Sequence, residues 1–215
     1  MDSRVKPLAV DLQRIFGDRL QSLVAYDTVE GDPAGVHTLA LVDHLTFQDL
    51  AACIPLVVAW RRSGCAVPLI LSRDEFARTL DVFPIEYGDI IAHHVIVFGE
   101  DPFAGIHVNE ADLRRACEHQ VKSHLIHLRE GYLETGGQAA GIARMIAASA
   151  EPLRSLISNV ERLDPGAAER AGVTTALVKE IAAAASSTIA DPSALLMRYL
   201  NAVERLWQQV DRWKR

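Results

Sequence analysis

The chain has 215 residues, 49% of them hydrophobic and 23% charged, with a formal net charge of −6. That is enough length and apolar content for one large domain or two small ones, and it excludes disorder as the default state. The negative balance disfavours broad nucleic-acid binding, which needs a basic surface.

The first predicted helix spans residues 8–16 and stops at Gly17, a natural residue beyond a helix end. Residues 20–26 read as a strand. A turn-rich stretch with Gly31, Pro33 and Gly35 follows, and residues 37–42 read as a second strand. Thr46 is placed to cap a helix reaching to about residue 62 and ending at Gly64. Residues 67–71 form a short apolar strand. Ser72 and Glu75 have the S-x-x-E spacing of a capping box for a short helix. Residues 85–91 and 95–98 read as two more strands, and Gly99 to Pro102 as a turn. Strands separated by helices predict a sheet covered by helices.

From about residue 109 the pattern is helical throughout. Asn109 is the predicted N-cap of a long helix with Leu113, Cys117, Val121, Leu125, Leu128 and Tyr132 at three- and four-residue spacings. Gly136 and Gly137 end it. A helix over 138–160 contains Pro152, which predicts a kink or a break. Shorter and longer helices follow over 175–189 and 192–213. The last carries an apolar stripe from Leu196 through Tyr199, Leu206 and Trp207 to Trp213. Such helices with short connections predict a bundle. Arg212, Lys214 and Arg215 read as a solvated tail.

No apolar run reaches the roughly 20 residues needed to span a bilayer, and residues 1–9 show no apolar signal core. Cys53, Cys65 and Cys117 form no CxxC pair, which predicts neither a disulfide framework nor a thiolate zinc site. The expected compartment is the cytoplasm.

The segment from Leu20 to Asp43 directs the functional reading. It runs strand, polar turn, strand, preceded by a helix and Phe16-Gly17-Asp18-Arg19-Leu20. It resembles the opening of the nucleotidyltransferase superfamily, in particular its small bacterial members. The resemblance continues through Asp81-Val82-Phe83-Pro84-Ile85-Glu86-Tyr87-Gly88-Asp89-Ile90 and His94 to Pro102, covering most of the first 135 residues. It implies an α+β/α architecture: a mixed sheet with flanking helices over residues 1–107, then an all-α bundle over 108–215.

In that family a Gly-Ser pair follows the first strand and holds the triphosphate. Two acids one residue apart at the start of the second strand, with a third from a later strand, bind the divalent metals. The resemblance aligns Asp27 and Thr28 with the Gly-Ser pair, Val36 and Thr38 with the paired acids, and Glu86 with the third acid. An Asp at 27 adds a Cβ and a negative charge where a triphosphate would lie. Valine and threonine cannot replace carboxylates on Mg²⁺. The expectation is a degenerate cleft with no catalytic residue and no metal.

Other candidates are weaker. His124, His127 and Glu130 share one face of a predicted helix, but their spacing matches no strong zinc signature, so they read as a polar flank. Arg114 and His119 resemble the R-x₄₋₆-H ribonuclease motif of helical domains that accompany nucleotidyltransferases, with Arg115 a poor match after the arginine. His93-His94 reads as a sheet-edge feature. No phosphate-binding Gly-rich loop and no G-x-S-x-G elbow occurs.

The leading expectation is a catalytically degenerate nucleotidyltransferase-fold protein of a bacterial type. It acts as a binding or regulatory module with no cofactor, and forms a homodimer or binds a protein partner through its bundle. One alternative is a divergent metal-dependent transferase that uses Mg²⁺ and nucleotide through Glu86 with Asp27 or Asp32. Another is a bundle that works as an interaction protein, as in toxin–antitoxin pairs.

Overall fold

Two mostly apolar runs form the middle of a four-stranded sheet. The computed structural model describes residues 3–26, 35–186 and 191–213. β1 (Leu20–Tyr26) pairs antiparallel with β2 (His37–Val42), in a register running from Leu20↔Val42 to Tyr26↔His37. β3 (Leu69–Ser72) lies parallel to β2, with Leu39 opposite Leu69. β4 (Val95–Gly99) lies antiparallel to β1. The strand order is β3-β2-β1-β4, a mixed sheet.

Both faces of the central pair are covered. On one face Leu23, Ala25, Val36, Ala40 and Val42 pack with Leu8, Leu12 and Phe16 of α1 (Lys6–Phe16) and with Trp60. On the other, Val24, Leu39 and Leu41 pack with Phe76, Tyr87, Ile90 and Phe103. This two-sided burial is why both strands read as nearly continuous apolar runs and not as alternating ones.

Thr46 and Asp49 form a reciprocal capping box at the start of α2 (Phe47–Cys53). Arg19 grips the same Asp49 with two bonds of 2.8 and 2.7 Å. This contact with the Arg19 guanidinium holds the Asp49 carboxyl well below the usual carboxylate range. The helix expected over 46–62 is divided: α2 gives way to a 3-10 turn at Ile54–Leu56 before α3 (Val57–Arg62). Pro55 lacks the N–H an unbroken helix would need there. The Ser72–Glu75 capping box opens α4 (Arg73–Arg78) as its spacing predicts.

Residues 85–91 are not a strand. They lie in α5 (Pro84–Ala92), with Pro84 in the first turn, and Pro84, Tyr87, Gly88 and Ile90 buried at helical spacing. The isoleucines suggest β structure, but Pro84 presets a helical φ and one face packs on the sheet.

The chain divides into two compact units, Met1–Asn109 and Glu110–Arg215. The second is helical: α6 (Glu110–Glu134), α7 (Ala139–Ala148), α8 (Ala150–Leu163), α9 (Ala167–Arg170), α10 (Thr175–Ala183) and α11 (Pro192–Arg212). The break expected at Pro152 falls at Ser149, between α7 and α8. A proline ring clashes with the carbonyl four residues earlier, here Ala148, so the helix stops there. The single helix expected over 175–189 ends its α-helical run at Ala183, and residues 187–190 lie outside the described residues. The short α9, which the periodicity does not reveal, is preceded by Glu161 accepting bonds from the N–H groups of Gly166 and Ala168.

Cys117, Val121, Leu125 and Leu128 of α6 are buried, as are Leu196, Tyr199, Leu206 and Val210 of α11. Trp207 and Trp213 are only half-buried, and the Lys122 ammonium lies 3.5 Å from the Trp207 ring centre. A polar triad crosses this interior. His124 Nε2 lies 2.6 Å from the Tyr199 hydroxyl, and Ser149 Oγ lies 3.2 Å from the same oxygen. Burial pushes the His124 imidazole down to about 4, with His127 adding to the effect.

Two outcomes follow for stability. Gly99 has φ +78°, and a Cβ there would lie 2.2 Å from the Gln21 carbonyl oxygen on β1. Gly99→Ala is expected to cost roughly 3 kcal/mol or prevent folding, read by urea denaturation. For His124 the folded value of about 4 lies below the ordinary 6.5. Its contribution is therefore complete above about pH 6.5 and is lost as pH falls towards 4, on the order of 3 kcal/mol in total. Denaturation midpoints taken from pH 7 to pH 4 should fall more steeply for the native chain than for His124→Gln.

Candidate functional site

The site that the sequence points to borders the Tyr26↔His37 end of the β1–β2 pair. Asp27, Thr28 and Asp32 lie outside the described residues. Val36 is clamped by backbone contacts: its N–H donates to the Gly64 carbonyl at 2.8 Å, and its own carbonyl accepts from Ala66 N–H at 3.0 Å. Gly35 makes this approach possible, since a Cβ there would lie 2.4 Å from the Gly64 oxygen.

Val36 and Thr38 are each 1% exposed. By the two-residue period they share the face of Ala40 and Val42, the face that packs under α1 and Trp60. The Thr38 hydroxyl is buried with no hydrogen-bond partner among the described residues. A buried hydroxyl without a partner costs on the order of 1–3 kcal/mol. Neither side chain offers a charged oxygen, so this pair does not fit a divalent metal centre. Glu86 stands exposed on the first turn of α5, on a helix and not on a strand. Val36 and Thr38 thus sit side by side on one buried face, while Glu86 sits on a helix surface.

A second polar cluster escaped the sequence reading. His94 Nε2 lies 3.3 Å from Asp101 Oδ1, its Nδ1 lies 3.0 Å from the Ile91 carbonyl, and its ring meets Phe103 edge-on at 4.8 Å. Asp101 also accepts from the Phe103 N–H at 2.9 Å. Beside it a cleft of about 360 Å³ is lined by Ser22, Arg73, Gly99, Glu100 and Asp101. This cleft borders the Ser22↔Gly99 end of the β1–β4 ladder, whereas β1 ends at Tyr26 on the other side of that strand. In the sequence the Gly99-Glu100-Asp101-Pro102 run reads as a turn and as part of the family resemblance, and neither reveals this contact, because His94 reaches Asp101 through folding that periodicity does not encode.

In the helical unit the expected polar flank holds for His127 and Glu130, which are exposed, but not for His124, which is buried against Tyr199. Arg114 contacts Glu118 at 3.7 Å, and His119 is exposed. Cys53, Cys65 and Cys117 are all buried and outside any disulfide, the Cys65 thiol donates to the Arg4 carbonyl at 3.2 Å, and burial pushes Cys117 up to about 11. Such thiols are poor nucleophiles. Among the described residues no group of three His, Cys, Asp or Glu side chains could hold a metal ion. No helix among them is long and apolar enough to cross a membrane.

No protein-family model and no curated protein matches the sequence. A solved structure does: the spectinomycin adenyltransferase of Enterococcus faecialis, determined with ATP and spectinomycin. The two chains are 14% identical, with a TM-score of 0.51, and the match covers 94% of this chain and 98% of that one. At that identity the likeness carries the fold alone. The chain has a nucleotidyltransferase-like mixed sheet with flanking helices, followed by a helical region.

Proposed function

We propose that this chain is a catalytically degenerate nucleotidyltransferase-fold protein that works as a binding or regulatory module. The observation that carries the reading is the state of positions 36 and 38. Valine and threonine stand where the superfamily's metal-binding acids are aligned, and both are 1% exposed. Transfer chemistry of this kind depends on metals that bridge the phosphates and neutralise developing charge, a contribution of several kcal/mol to the barrier. Asp27, aligned with the family's glycine, adds negative charge beside the phosphate position. We place the protein in the cytoplasm. We also propose that it forms a homodimer through the helical unit, where Ile126 and Leu133 of α6 and Met197 of α11 are exposed.

A second reading is favoured by the breadth of the structural likeness, which spans 94% of this chain and an adenyltransferase. In that reading the protein is a divergent transferase with Glu86 and Asp27 or Asp32 as relocated ligands.

Calorimetry with ATP, GTP, CTP and UTP in Mg²⁺ or Mn²⁺, together with transfer of labelled nucleotide to spectinomycin, separates the two. The degenerate module gives no transfer above background. Metal-dependent transfer that is lost in Glu86→Gln overturns it. Position 38 supplies an independent check. Thr38→Asp buries an unpaired carboxylate and should lower stability by about 3 kcal/mol or more, read by thermal and urea melts. A Thr38→Asp protein as stable as the parent would show that position 38 opens on a cleft, and the buried-face account would fail.

A further inference from the structure

We propose that the cavity between the segment 164–171 and the last turns of α11 is an anion site for a small phosphoryl-bearing ligand. It lies within the helical unit and does not depend on the state of positions 36 and 38. Its volume is about 520 Å³, larger than a single inorganic ion needs.

The spacing on α11 supplies one wall. Arg205, Gln208, Gln209 and Arg212 recur at intervals of three, four and seven, so they form one polar stripe on that helix. All four line the cavity, facing Arg170 and Asp164. The described lining therefore carries three guanidiniums against one carboxylate.

That carboxylate is already engaged. Asp164 pairs with Arg170 at 2.6 Å, and accepts from Gln209 at 3.4 Å and from the Trp213 indole. Asp164 acts as an internal brace that sets the positions of Arg170 and Trp213. Arg170 is fixed a second time by the Pro165 carbonyl at 3.0 Å.

Arg205 is held from its inner edge. Its Nε donates to the Ala171 carbonyl at 2.8 Å. Gly172 leaves room for the guanidinium, since a Cβ there would lie 2.5 Å from Arg205 Nη2. With Nε committed to a neutral carbonyl, and Asp164, the one carboxylate among the described lining residues, paired with Arg170, the charge of Arg205 is left facing the cavity, and Arg212 joins it one heptad further along the helix.

Like-charged side chains gathered around one concavity repel each other, and an anion between them removes that repulsion. A guanidinium offers a planar fork of N–H donors that matches two oxygens of a phosphoryl group. A small ligand fits better than a nucleic acid. The site is a pocket and not an extended basic face, and the whole chain carries a net charge of −6.

The test is calorimetry on the full chain with pyrophosphate, with EDTA present and about 0.15 M NaCl to screen weak surface attraction. The native chain is expected to bind it at sub-millimolar concentration. Arg205→Gln/Arg212→Gln should weaken binding at least about tenfold, the loss of two charge-assisted contacts. Arg212→Gln alone leaves the Ala171 contact intact and should still weaken it about threefold or more. Unchanged circular dichroism shows that the variants are folded. Glu86→Gln should leave pyrophosphate affinity unchanged, which separates this site from any metal-dependent nucleotide site on the first unit. Three results overturn the assignment: no binding up to about 5 mM, equal affinity in the double variant, or citrate binding as tightly as pyrophosphate.

Discussion

Burial of β1 and β2 on both faces is the constraint on which the first unit depends. Leu23 and Ala40 point to the α1 side, Val24 and Leu39 to the side of Phe76 and Tyr87, and all four are nearly fully buried. A strand pair enclosed in this way tolerates polar side chains poorly. The Thr38 hydroxyl, without a hydrogen-bond partner among the described residues, marks the limit, and a carboxylate there would bear a larger desolvation penalty. Charge is instead held at the margin of the sheet, where Arg19 and Asp49 tie the start of β1 to the cap of α2.

The helical unit handles polar groups differently. Its interior brings His124 and Ser149 both to the Tyr199 hydroxyl, joining α6, α11 and the break between α7 and α8. A satisfied buried network of this kind specifies one packing arrangement at the cost of sensitivity to protonation. The positively charged residues gather outside that interior. Arg170 and Arg205 are positioned by the Pro165 and Ala171 carbonyls. Gly172 and Asp164 keep that arrangement open and oriented.

A shared scaffold does not fix the chemistry of a site. The structural likeness covers 94% of this chain and 98% of an adenyltransferase chain at 14% identity. The side chains at 36 and 38 contribute to the packed sheet, and chemistry depends on the side chains a fold presents. The proposed anion pocket is lined by residues of the second unit alone.

Local chemistry was readable in the sequence. The mostly apolar runs at 20–26 and 37–42 marked β1 and β2 residue for residue, because two-sided burial leaves few polar positions, here Gln21, Ser22, His37 and Thr38. The capping residues Thr46 and Ser72 and the break before Pro152 were likewise visible, since each acts within four residues. The run 85–91 misled because isoleucines suit a strand, and only Pro84 and the packing of Tyr87 and Ile90 made it a helix. Tertiary structure alone decided that Thr38 is sealed in the core, that His124 meets Tyr199 across 75 residues, and that Arg205 meets Ala171 across 34. The physical reason is reach: periodicity and caps report on neighbours within a turn or two, whereas burial and charge convergence depend on which distant segments the packed chain brings together.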